Sequence, residues 1–79
     1  MNSMHLKQDF NIPDFLSAVK GCDGEVFFNT PEGDSLALRS SFCQYIFCSL
    51  FETSDTFYEA QLVFEKDSDK EKLLKFIEG

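Results

Sequence analysis

Apolar and polar residues recur with two different periods along these 79 residues, and the changes of period divide the chain into elements. Met4, Leu6 and Gln8 alternate with His5, Lys7 and Asp9 as far as Phe10, which predicts a short first strand after a loose end at residues 1–3. Ile12, Phe15, Leu16 and Val19 then fall at i, i+3, i+4 and i+7, one face of a helix. Asn11 stands where a cap is needed, and Pro13 and Asp14 suit the first turn. Lys20 suits the far end, where Gly21 is expected to take the left-handed capping conformation. Cys22-Asp23-Gly24 reads as a turn and residues 25–30, EVFFNT, as a second strand. Pro31-Glu32-Gly33-Asp34 marks a hairpin, and residues 35–39 return as a third strand with Leu36 and Leu38 on one face.

Residues 40–51, SSFCQYIFCSLF, form a second helix with Ser40 as its cap and an excess of apolar positions. One stripe carries Phe42, Tyr45, Ile46, Ser49 and Leu50, and another carries Cys43, Phe47 and Phe51. A helix laid once on a sheet needs one such stripe. Either the domain covers this helix on two sides, or the second stripe meets a partner. After a polar connection at 52–56, residues 57–66 alternate cleanly, with Tyr58, Ala60, Leu62 and Phe64 against Glu59, Gln61, Val63 and Glu65. That predicts a fourth strand. Ser68-Asp69-Lys70-Glu71 has the spacing of a capping box, and Leu73, Leu74, Phe76 and Ile77 give a last helix its apolar side, up to Gly79. The expected order is β-α-β-β-α-β-α in a single domain spanning 1–79, one layer of sheet and one of helix.

Composition narrows the function classes. Fourteen acidic residues against seven basic ones give a net charge of -7, spread without an acidic block. Nucleic acid calls for clustered Lys and Arg, and an anionic membrane surface calls for the same, so neither is expected as a partner. Cys22, Cys43 and Cys48 are odd in number, which points to reduced thiols in a cytoplasmic protein. Residues 1–20 lack the apolar core expected of a signal peptide, and no run approaches the length of a spanning helix.

The order of elements, together with the glycine-bearing hairpin, Arg39-Ser40 at the start of an apolar second helix, the alternating fourth strand and the paired leucines of the last helix, resembles the HPr family of bacterial phosphocarrier proteins. The resemblance is best from Glu25 to Glu78. It implies an α+β, open-faced two-layer sandwich: a four-stranded antiparallel sheet with three helices on one face. In that family a histidine in the loop after the first strand carries the phosphoryl group, within a Gly-[Leu/Ile]-His-Ala-Arg-Pro-like motif. Here the loop reads Phe10-Asn11-Ile12-Pro13-Asp14, with neither histidine nor arginine, and Asp14 would repel a phosphoryl group. The chain therefore reads as a member lacking the acceptor. One position does transfer: Ser40 occupies the place of the serine phosphorylated as a regulatory mark in many Gram-positive relatives.

Each candidate has a plain structural reading beside it. Ser40 is a helix cap as well as a candidate regulatory phosphorylation site. His5, the single histidine, lies inside a strand with no ligand cluster nearby. Cys43 and Cys48 lie about 140° apart around a helix, poor geometry for a metal or a disulfide. Cys22, in a turn at a helix end, is the candidate reactive thiol of the three. The carboxylates read as solvated turn and cap residues. Phe42, Cys43, Phe47 and Phe51 are the candidate partner-binding residues. No catalytic, cofactor or metal site is expected. The function expected is a non-catalytic interaction or regulatory module in a bacterial cytoplasm, docking a protein partner or a second copy through helix 40–51. Two alternatives are a phosphocarrier with an atypical acceptor, for which His5 is the only choice, and a ferredoxin-like small-ligand or enzyme domain.

Overall fold

The computed structural model describes residues 4–8 and 10–78. The loose end expected at 1–3, the place of Asp9 in the first strand and the helix end at Gly79 lie outside the described residues. The elements are β1 (His5–Leu6), α1 (Ile12–Lys20), β2 (Val26–Asn29), β3 (Ser35–Ala37), α2 (Ser41–Thr53), a one-turn 3-10 helix (Phe57–Glu59), β4 (Gln61–Phe64), a long 3-10 helix (Asp67–Phe76) and β5 (Ile77–Glu78). The class is α+β.

Local chemistry explains most boundaries. The Asn11 side chain accepts a hydrogen bond from the Asp14 N–H at 3.0 Å and starts α1. Gly21 ends it with φ of -82°, an ordinary right-handed conformation rather than the expected left-handed one, because the N–H groups of Gly21 and Cys22 turn back to Ala18 and Val19 in a tighter last turn. The 31–34 hairpin closes as expected, with the Thr30 N–H donating to Asp34 O at 2.8 Å and Gly33 at φ 101°, where a Cβ would be unfavourable.

The central sheet is antiparallel in the order β3-β2-β4. Phe28 sits between Leu36 and Leu62, and Val26 faces Phe64, so these side chains share the buried face. Phe47 of α2 packs edge-on against Phe28 of that face. Phe15 of α1 stacks on Phe47 of α2 at 5.6 Å and meets Phe76 edge-on at 5.5 Å.

This corrects the expected four-stranded sheet. Met4, just before β1, makes a single bridge to β4, in which Met4 and Leu62 exchange both backbone hydrogen bonds. The residues of β1 pair instead with β5, Leu6 against Ile77, in a separate two-stranded antiparallel ribbon. Both side chains are thereby buried. The fourth strand is also shorter than residues 57–66. Phe57 is drawn into the core against Phe28, Phe47 and Phe51, and the chain makes a helical turn there before it becomes extended. The last helix is 3-10 rather than α, is flanked by Lys66 with no side-chain cap, and leaves the expected Ser68 capping box unused.

Candidate docking surface on the second helix

The position of α2 is set by its anchors. It lies against β3, Phe47 is fully buried among aromatic rings, and Gln44 donates from Nε2 to Leu38 O at 2.8 Å. That contact is made one turn into the helix and fixes its rotation. Cys43, Ile46, Cys48 and Leu50 are half-buried around the same core. The opposite side is open. Phe42 is 70% exposed and Tyr45 is 74% exposed, with Ser49 and Glu52 continuing the exposed stripe. The domain leaves two large side chains of the helix exposed, Phe42 and Tyr45. Both belong to the stripe other than the expected one, whose Ile46 and Leu50 pack against the core.

Of the four expected partner-binding residues, the structure brings together an incomplete set. Phe47 is core and no part of any surface. Cys43 is half-buried on the inner side. Phe51 is 38% exposed, at the C-terminal end, with its ring packed on Phe10 and Phe57. Phe42 is open to solvent, and Tyr45, which sequence reasoning left out of the set, is its neighbour at i+3. The signal was present in the alternative stripe. What the structure adds is the contact of Phe47 with Phe28, Phe15 and Phe57, a tertiary property.

Ser40 does occupy the cap position of α2, with extended backbone, but its hydroxyl makes no capping hydrogen bond. The side chain is exposed. The loop after β1 lies at the other end of the helix. Phe10 meets Phe51 and Tyr58 edge-on and stacks with Phe57, while Asn11 is committed to capping α1. His5 presents Nδ1 to the carbonyl oxygen of Ala60 at 3.0 Å, so that nitrogen carries a proton and Nε2 is the free one.

Two expectations about polar residues are corrected. Cys22 is buried, with Sγ 3.6 Å from Ala18 O, and burial first and the charge of Asp69 second push its thiol above the ordinary range. Such a thiol is a poor nucleophile. Asp69 is not a solvated cap but a fully buried carboxylate. It accepts from the Asp23 N–H at 2.9 Å and the Gly24 N–H at 2.8 Å, and Lys72 lies 3.3 Å away. Those two backbone donors, ahead of Lys72, hold its carboxyl below the usual aspartate range. Desolvation works against the Lys72 ammonium, yet its bond to Asp69 and the charge of Asp23 outweigh this and raise its pKa. The arrangement ties the long 3-10 helix to the loop between α1 and β2. It is a structural lock.

Among the described residues no three His, Cys, Asp or Glu side chains are grouped to hold a metal ion, and no helix is long and apolar enough to cross a membrane. Set against known proteins, the chain matches no family model, no curated protein and no solved structure.

Proposed function

We propose that this chain is a non-catalytic, HPr-like interaction module of the bacterial cytoplasm that docks a protein partner through the outward stripe of α2. The observation that carries the reading is the pair Phe42 and Tyr45, both more than two-thirds exposed on one turn of a helix whose other side is anchored by Phe47. An aromatic pair beside a helix start is the kind of anchor that fills a partner's pocket. The partner is a protein whose pocket carries a cationic rim. Charge complementarity supports this: the net charge is -7, and Glu52 near the helix's C-terminal end and Asp55 in the turn after it are both exposed. A second copy would bring a like charge to the contact.

The HPr-like element is supported by the order of helices and strands from α1 to the last helix. Phe10 packs among aromatic rings and Asn11 caps α1, so the residues just before α1 are held by packing and capping. Ser40 fits a regulatory role on the same surface. Its hydroxyl is exposed and uncommitted, two residues from Phe42, and a phosphate there would sit at the positive end of the helix dipole.

Photo-crosslinking tests the reading. A benzophenone side chain is placed at position 42, at 45, or at exposed Ser17 on α1 as a control. The expected result is one discrete product at 42 and 45, absent at 17, that is a different protein and carries Lys or Arg around the crosslinked site. Crosslinking equal at all three positions, or a product that is a second copy of this chain, overturns it.

A further inference from the structure

The C-terminal 3-10 helix runs for ten residues, whereas such helices rarely exceed three or four. Its sequence favours the other geometry. Ser68 and Glu71 have capping-box spacing, and Lys70 to Lys75 are all good α-helix formers. The two ends explain the outcome. Asp69 is bound to the Asp23 and Gly24 N–H groups near the start. At the other end the Lys7 N–H donates to Phe76 O at 2.8 Å and Ile77 pairs with Leu6. Ten residues reach about 20 Å as a 3-10 helix and about 15 Å as an α-helix, so a shortened segment would have to let go of one anchor. With three residues per turn, Leu73 and Phe76 fall in line and are buried, and Leu74 is left 55% exposed. In an α-helix Leu73, Leu74 and Ile77 would share one side.

We propose that residues 67–78 are a two-state element. Held between Asp69 and β1, the segment forms the 3-10 helix and β5. Released from β1, it shortens into an α-helix, buries Leu74 and uncovers the backbone edge of His5–Leu6. Anything that competes for that edge shifts the population toward the α form.

The test is Lys7→Pro in the full chain, which removes the N–H that holds Phe76 O without altering the segment itself. The expected result is α-helical Cα carbon shifts at residues 68–76 and stronger ellipticity at 222 nm. Adding Leu74→Glu should reverse that gain, while Leu74→Glu alone leaves the original fold. If β5 is freed but residues 67–76 keep 3-10 shifts or become coil, the proposal is overturned. Should Lys7→Pro fail to fold, relaxation dispersion on the unaltered chain decides. A minor state with α-helical shifts at 67–78 supports the switch, and no exchange in that segment overturns it.

Discussion

The ring of Phe47 meets the ring of Phe28 edge-on, with centroids 4.9 Å apart and planes at 90°. Edge-to-face contact of this kind adds to simple burial. The pair fastens α2 to the middle strand of the sheet and turns Phe42 and Tyr45 outward.

Substitutions on the two sides of α2 should therefore separate. Phe47→Ala is expected to cost about 3–5 kcal/mol, and Phe47→Glu to abolish the fold. Phe42→Glu and Tyr45→Glu should stay within about 0.5 kcal/mol of the parent. Urea unfolding followed by circular dichroism reads all four. A stable Phe47→Glu variant would mean that this ring is not the anchor.

Asp69 predicts an acid limb of stability. Its folded-state pKa is lowered, so the contribution is present above the ordinary aspartate value of about 3.9 and is lost as pH falls through the lower, folded value. Thermal midpoints measured downward from pH 5 should fall through this window. Asp69→Asn should have a lower midpoint at pH 7 and a shallower acid slope, because an amide cannot accept from both backbone N–H groups without turning its own N–H₂ toward one of them. An unchanged slope in Asp69→Asn would assign the acid sensitivity to other carboxylates.

The two helix starts should respond differently to the same change. Asn11→Ala removes the bond to the Asp14 N–H and is expected to cost about 1 kcal/mol. Ser40→Ala removes no capping bond and should be nearly neutral, while Ser40→Asp should stabilise by about 0.3–1 kcal/mol through the helix dipole. Denaturant midpoints compare them directly. A large loss in Ser40→Ala would show a cap formed in solution.

Local signals determined much of this protein by themselves. The cap and face of α1, the glycine hairpin, the alternation at Leu62 and Phe64 and the apolar-rich stretch of α2 act over a few residues, and each appears where its pattern lies. Contacts far apart in sequence decided the rest. Which stripe of α2 turns inward shows only in the contacts of Phe47 with Phe15, Phe28 and Phe57, since both stripes are apolar. Asp69 looks like a surface cap until Gly24, 45 residues earlier, brings its N–H to the carboxylate. The last helix is 3-10 between the Asp69 contacts and the Leu6–Ile77 pair, although its residues favour the α form. In each case two local arrangements compete closely, and only burial and backbone hydrogen bonding between distant segments separates them.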